Sequence, residues 1–496
     1  MPVSAMSGRR SALVVPWTAA AAPVDLAARL LGERGLVFLD SASEVGGQGR
    51  WSFLLIDPQC VLTASHGALC LQSRASQDVR WSRSHRGLFD TVRDLLRAHP
   101  LAPHPEVPFV GGAAGYWGYE LGTEVEPRVR RRRPVPAASA LPDAWIGFYD
   151  LVYAFDHASG TGYLVASGDD APGPGGDRHG SPEERVRWLS RKLSGPRAAL
   201  RPVGGAGPTP EWCSSPAMGL TSSHTRATYT QAVRRALAYI AAGDIYQVNL
   251  SQRFQSRLRR DGHPWALYRR LRERSSAPFA AYVDAGDHQV LSSSPERFLR
   301  IRGREVETRP IKGTRPRGAD PAADADLARA LLTSPKDRAE LVMIVDLERN
   351  DLGRVCDYGS VRVADLCALE SHPTVHHLVA TVCGRLREEV HPIDCLRACF
   401  PGGSITGAPK VRAMEIIAEM EPFERGVYTG AIGYCGFDGT AEWNIAIRTM
   451  RVAGEEVSFC AGGGIVADSD PDAEYEETLH KARGMQEALG LKMTDR

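Results

Sequence analysis

The sequence predicts antiparallel strands combined with capped helices in a chain too large for one ordinary core. Residues 36–165 alternate short apolar stretches with Gly, Asp and Pro punctuation, the pattern of short antiparallel strands. From Thr225 onward the elements lengthen, and Ser334-Pro335 and Asp470-Pro471 each place an N-cap residue before a proline at the first helical position. At 496 residues, two large units, or one large and elaborated unit, are expected.

In chain order, Met1 to Arg10 is small and polar, and Ser11 to Ala22 is mildly apolar but interrupted by Pro16 and Trp17. This reads as a ragged start leading into a strand, not a signal peptide. Leu36–Asp40, Trp51–Leu55 and Ala144–Phe148 are expected strands, with a helix over Phe89–His99. Arg128–Arg133 holds five arginines in six positions, either a solvated loop or a docking patch for an acidic partner. Ala171–Gly176 and Gly204–Pro208 are linker-like and flank an amphipathic stretch, Glu183–Lys192. An N-terminal region over 1–215, with its linker from about 168, and a C-terminal unit over 222–490 are therefore expected.

A hydrophobic fraction of 43% and a charged fraction of 24% suit a soluble globular protein. The formal net charge of +1 gives no global footprint for nucleic acid or membrane, and no apolar run is long enough to span a bilayer. The ten cysteines form no C-x-x-C pair, and several sit inside apolar patterns. A reduced, cytoplasmic protein without zinc or disulfides is expected.

Lys312 lies in a proline- and glycine-bounded stretch beside Arg309, Arg315 and Arg317, which reads as a rigid basic turn. Neighbouring cations and partial burial favour the neutral, nucleophilic amine; the alternative is a solvated loop. Asp337 and Glu340 on one helix, and Glu474 and Glu477 on another, are each three residues apart and so share a face. Four such carboxylates aimed at one point would call for a hard divalent cation, Mg²⁺; the alternative is acidic first turns complementing helix dipoles. Gly462, Gly463 and Gly464 follow a strand-like stretch and are expected to turn backbone N–H groups toward an anion. Phe400–Lys410 superficially resembles a phosphate-binding loop, but Gly407 is followed by Ala408-Pro409, so that reading fails. Arg448, in the strand-like Ile445–Met450, can grip a carboxylate with two hydrogen bonds.

These stretches, with Ile245–Ser251, Ser293–Phe298, Asp346–Gly353, His376–Val379 and Arg425–Met450, resemble the chorismate-utilising enzymes. That family includes anthranilate synthase component I, aminodeoxychorismate synthase component I, isochorismate synthase and salicylate synthase. The likeness covers roughly residues 225–490, and a looser one runs through Leu39–Ala42, Gly49–Phe53 and Phe109–Glu120. The fold it implies is α+β, a large antiparallel β-sandwich core with helices packed outside. Pro310-Ile311-Lys312-Gly313-Thr314 is similar to the aminodeoxychorismate synthases, where anthranilate synthases typically carry alanine in place of the lysine.

The activity so implied is amination of chorismate by ammonia to 4-amino-4-deoxychorismate, toward 4-aminobenzoate and folate. Lys312 would form a covalent adduct, and Glu296 would protonate the departing hydroxyl. Gln247 stands where water-adding relatives have a lysine base. Glu340 and Glu477 would bind Mg²⁺ directly, with Glu474 and Asp337 near it. Tyr428, Arg448 and Gly462–Gly464 would hold the other carboxylate, and Thr314, His377, Ser404, Thr406 and Lys481 would line the substrate pocket. The altered Leu39–Ala42 segment resembles one that holds tryptophan in relatives. No cysteine sits in a Gly-x-Cys-x-Gly elbow, so ammonia would come from a separate glutamine amidotransferase subunit or from solution. The alternatives are an anthranilate synthase component I and a non-catalytic chorismate-binding subunit.

Overall fold

The structure is a computed structural model that describes residues 10–18, 21–44, 46–74, 81–82, 86–129, 141–167, 180–198, 219–258, 262–372 and 375–491. Arg130–Arg133 and the two linker-like stretches at 171–176 and 204–208 lie outside the described residues. Two antiparallel sheets of twelve strands each face one another, with helices outside, giving the α+β sandwich that the resemblance implied.

The expected elements form with small boundary shifts: strands Leu13–Trp17, Val37–Asp40, Trp51–Leu55 and Ala144–Tyr149, and helices Leu88–Arg97 and Pro182–Ser194. Their near-continuous apolarity has a tertiary cause. Along Val37–Asp40 and Phe279–Asp284, Val37, Ala281 and Val283 point into the core between the sheets, where Phe53, Phe109, Tyr434, Trp117 and Trp443 meet. Phe38 and Tyr282, on the opposite face, join Trp265, Tyr268 and Phe459 beneath the helices. Side chains alternate with period two, but both faces are buried, so no polar face is needed.

Strands from before residue 168 and after residue 222 share both sheets. Val37–Asp40 pairs with Phe279–Asp284, with Phe38 opposite Tyr282. Gly112–Trp117 pairs with Ala431–Gly436, with Gly115 opposite Gly433. Helices Pro335–Gly353 and Pro471–Ala488 begin as expected: Ser334 Oγ accepts from the Asp337 N–H at 3.3 Å, and Asp470 Oδ1 accepts from Asp472 and Ala473 at 3.1 and 2.8 Å. Among the described residues no helix is long and apolar enough to cross a membrane.

Candidate active site

The site forms where the strand Glu456–Ile465, the strand Ile311–Pro316 and two helix N-terminal halves converge. Gly462, Gly463 and Gly464 pair in register with Ser251, Leu250 and Asn249, so they continue the strand and do not form the anion-cradling turn expected of them. Glycine is required there for close approach. A Cβ on Gly462 would stand 2.3 Å from the Leu250 carbonyl oxygen, and one on Gly464 2.7 Å from Gln247 Nε2. A Cβ on Gly463 would reach to 3.0 Å from Glu474 Oε2 and 3.5 Å from Glu477 Oε1, so both carboxylates lie over this strand.

Lys312 also sits in a strand, Ile311–Pro316, where a turn was expected. It pairs with Leu378, and the register shifts at Gly313, whose φ of +67° is left-handed and glycine-favouring. The bulge sets Gly313 against Asp337, where a Cβ would stand 3.0 Å from Asp337 Oδ1. The half-buried Lys312 Nζ donates to the Ser404 carbonyl at 3.2 Å, and Ser404 Oγ donates to Glu296 Oε1 at 2.6 Å. One residue thus ties the amine to the carboxyl.

Burial pushes Glu296 up to about 6, against the pull of the Ser404 hydroxyl, the Lys312 charge and the Ile311 N–H. Burial lowers Lys312, assisted by Lys481 and opposed by Glu340, Glu296 and Glu477. A buried carboxyl able to hold a proton near neutrality stands next to an amine biased toward its neutral form.

Several buried polar atoms here have no protein partner among the described residues: both amide atoms of Gln247, His377 Nε2 and Glu474 Oε2. His377 Nδ1 is tied to Thr314 Oγ at 2.9 Å, and burial with Arg448 beside it depresses the ring to about 3, so it is neutral. Arg448 has no acidic partner among the described residues, and burial lowers it. It lies between the strands Ala441–Ile445 and Thr449–Ala453, not within one, at a φ of +49°. Unpaired buried donors and an unneutralised guanidinium suit a polar, anionic ligand. Tyr428 lies beneath the buried Arg425, 5.8 Å from its guanidinium carbon, and the Thr406 hydroxyl donates to the Gly402 carbonyl at 2.9 Å.

The four carboxylates from two helices give an oxygen-only donor set. Burial raises Glu340 and Glu474, while Lys481, 2.6 Å from Glu477, lowers Glu477. Lys481 also donates to the Gly462 carbonyl at 3.0 Å. Asp337 is engaged by Arg315 at 2.9 Å. Among the described residues no three His, Cys, Asp or Glu side chains stand gathered as a ready metal cluster. The orphaned Glu474 Oε2, beside a Glu477 whose charge is also felt by Glu340, nevertheless fits a hard divalent cation by chemistry.

Three buried features escaped sequence reading. Lys410, read as the end of a loop, makes a 2.5 Å ion pair with Asp351. Arg425 binds Glu421 at 2.7 Å and the carbonyls of Ile405 and Asn249, fixing the segments that carry Thr406 and Gln247. Glu348 is buried behind Glu296. The Lys410–Asp351 spacing of 59 residues is invisible to local patterns; Glu348 on the face flanked by Ile344, Val345 and Leu352 was the signal available. In the Leu39–Ala42 segment, Asp40 accepts from Tyr268 at 2.8 Å and Arg272 at 2.6 Å, and Ser41 Oγ donates to the Trp51 carbonyl at 2.6 Å.

A family model described as chorismate binding enzyme matches residues 43–487. Aminodeoxychorismate synthase component 1 of Salmonella typhimurium is 41% identical over 449 residues, covering 90% of this chain and 91% of that protein. Anthranilate synthase component 1 of Thermus thermophilus is 39% identical over 469 residues, covering 95% of each. The crystal structure of anthranilate synthase component I from Streptococcus pneumoniae is similar at a TM-score of 0.75 and 30% identity, over 88% of this chain and 92% of that one. With likeness of this extent in sequence and in fold, the chain belongs to the chorismate-binding enzyme family.

Proposed function

We propose that this chain is the chorismate-aminating component of an aminodeoxychorismate synthase, producing 4-amino-4-deoxychorismate for 4-aminobenzoate and folate. The observation that carries the reading is the Lys312–Ser404–Glu296 connection, an amine and a proton-holding carboxyl joined through one serine. The similarity to the Salmonella typhimurium relative supports it. The similarity to anthranilate synthases of nearly the same identity keeps amination at C2 as the competing reading, and Lys312 is what separates the two.

In the proposed scheme the neutral Lys312 amine bonds to C2 of chorismate. The two conjugated ring double bonds each shift by one bond, and the C4 hydroxyl departs as water with the proton of Glu296. Ammonia then bonds to C4, both double bonds shift back, the C2–nitrogen bond breaks to release the neutral lysine amine, and the new C4 ammonium gives a proton back to Glu296. Arg448, with its unneutralised guanidinium, and Tyr428 bind one substrate carboxylate. Gln247 and His377 Nε2 supply hydrogen bonds around the ring. Glu340 and Glu477, with Glu474 and Asp337 close by, would hold Mg²⁺, which when bound supplies charge neutralisation for the other carboxylate. Ammonia is delivered by a separate glutaminase subunit. A tryptophan bound at Asp40–Ser41 would have to displace the Tyr268 and Arg272 contacts there.

The experiment is product identification with chorismate, ammonium and Mg²⁺, with and without a 4-amino-4-deoxychorismate lyase. 4-Aminobenzoate that appears only with the lyase is the expected result. Fluorescent anthranilate formed without the lyase refutes the assignment, and chorismate binding without turnover would favour a non-catalytic subunit.

A further inference from the structure

The Ser404 carbonyl takes two side-chain hydrogen bonds, and the amination scheme uses one of them. Lys312 Nζ donates to it at 3.2 Å, and Asn249 Nδ2 donates to it at 3.0 Å. A carbonyl oxygen has two lone pairs, so these two donors fill it. Asn249 lies on the strand Gln247–Arg257, two residues beyond Gln247 and on the same face. Its bond to Ser404 fixes which way the amide points, because only the nitrogen end can donate.

Asn249 and Ser404 are both rigidly held. The Asn249 N–H donates to the Thr406 carbonyl at 2.8 Å, and Arg425 donates to the Asn249 carbonyl at 2.9 Å. Asn249 stands opposite Gly464 in the sheet. A Cβ on Gly464 would lie 3.1 Å from Asn249 Oδ1 and 2.7 Å from Gln247 Nε2, so the bare glycine leaves room for both amides. Ser404 sits in the short turn Gly403–Ile405, and Arg425 takes the next carbonyl, that of Ile405, at 3.1 Å. Lys312 is the opposite case, a flexible stem ending in donors that turn freely. Among the described residues the Ser404 carbonyl is the one hydrogen-bond acceptor its amine meets. The charged groups facing the amine are Glu340 on one helix, Glu477 and Lys481 on another, and Glu296. Three of these are carboxyls able to draw an ammonium aside, so the aim of the amine depends on that carbonyl.

We infer that Asn249 is a positioning residue for the covalent step: by filling one lone pair of the Ser404 carbonyl, it fixes the direction in which the other receives the Lys312 amine. The inference rests on the reading of Lys312 as the nucleophile. In that step the amine lone pair forms the bond to C2 of chorismate, both ring double bonds shift, and the C4 hydroxyl leaves with the proton of Glu296. The amine attacks through its lone pair, and the N–H held by Ser404 decides where that lone pair points. Because both donors meet one oxygen, Asn249 also sets the positive end of an amide dipole beside the amine. An ammonium at that place gains no acceptor from Asn249, whereas the neutral amine loses nothing.

Two variants test this. Asn249→Leu keeps a side chain branched at the same carbon but has no donor. Asn249→Asp keeps the shape and replaces the donor by a carboxylate, which repels the Ser404 carbonyl and pairs with the lysine. Each protein is mixed with chorismate without ammonia and quenched, and the adduct on Lys312 is followed by peptide mass. Chorismate affinity is measured by calorimetry and folding by the thermal midpoint. Asn249→Leu should form the adduct about ten- to a hundredfold more slowly, the cost of a misaimed nucleophile, with affinity and midpoint close to wild type. In Asn249→Asp the acidic limb of the adduct-formation profile should move to higher pH, because the new carboxylate holds Lys312 as the ammonium. Wild-type adduct formation in Asn249→Leu overturns the inference, and so does a loss of chorismate affinity that accounts for the whole fall. If Asn249→Leu does not fold, Asn249→Asp decides alone, and an acidic limb left in place overturns the inference. Absence of any Lys312 adduct in the wild-type protein removes the covalent reading and this inference with it. An adduct in the wild type, formed equally fast in both variants, removes the role of Asn249 alone.

Discussion

Replacing Ser404 by alanine should shift the alkaline side of the pH–rate profile upward. Ser404 Oγ donates to Glu296 Oε1 at 2.6 Å, and this bond favours the ionised carboxyl, which burial otherwise pushes up to about 6. A hydrogen bond to a charged group contributes about 1.5–3 kcal/mol, which corresponds to roughly one to two pH units. Glu296 in the variant should therefore titrate near 7 to 8, about one to two pH units above its present position. At pH ~8 only about 1% of the wild-type carboxyl is protonated, against roughly 10–50% in Ser404→Ala. The bond from Lys312 to the Ser404 backbone carbonyl, at 3.2 Å, survives the substitution, so the acidic limb should stay in place. The assay is amination of chorismate by ammonium, coupled to excess lyase, with kcat/KM followed from about pH 5 to 9. A basic limb that stays put, or moves to lower pH, refutes the assignment of that limb to Glu296.

Glu296→Gln should stabilise the fold at neutral pH while abolishing amination. Raising the carboxyl from 4.5 to about 6 costs nothing below pH 4.5, where folded and unfolded chains are both protonated. As pH rises through this window the unfolded chain ionises first and roughly 2 kcal/mol of stability is lost; denaturant titrations at pH values on either side of the window should show this loss in the wild type but not in the variant. Lys312→Ala should lower amination on the order of a thousandfold while chorismate binding by calorimetry changes little; a wild-type kcat would refute the covalent step. Glu474→Gln should weaken calorimetric Mg²⁺ binding, because it removes charge at a buried carboxylate oxygen left unpaired beside Gly463. Unchanged Mg²⁺ affinity there would move the metal away from this helix.

What the sequence by itself determined is local chemistry. Ser334-Pro335 and Asp470-Pro471 announced two helix starts because a cap and a proline act within four residues, and those starts orient Asp337, Glu340, Glu474 and Glu477. The apolar runs at Val37–Asp40 and Trp51–Leu55 announced strands by composition. The motif order announced the family. Only the tertiary structure decided that Gly462–Gly464 run as a strand, because their conformation is imposed by pairing with Asn249–Ser251, more than two hundred residues away along the chain. Only it placed Lys312 in a strand opposite Leu378, with Ser404 between its amine and Glu296. The same holds for Glu348, an ordinary glutamate on a helix until burial and the engagement of Lys410 by Asp351 leave it without a cation. Caps and turns are written in neighbouring residues, whereas the desolvation and long-range pairing that push a carboxyl up and an amine down exist only once distant strands have closed around them.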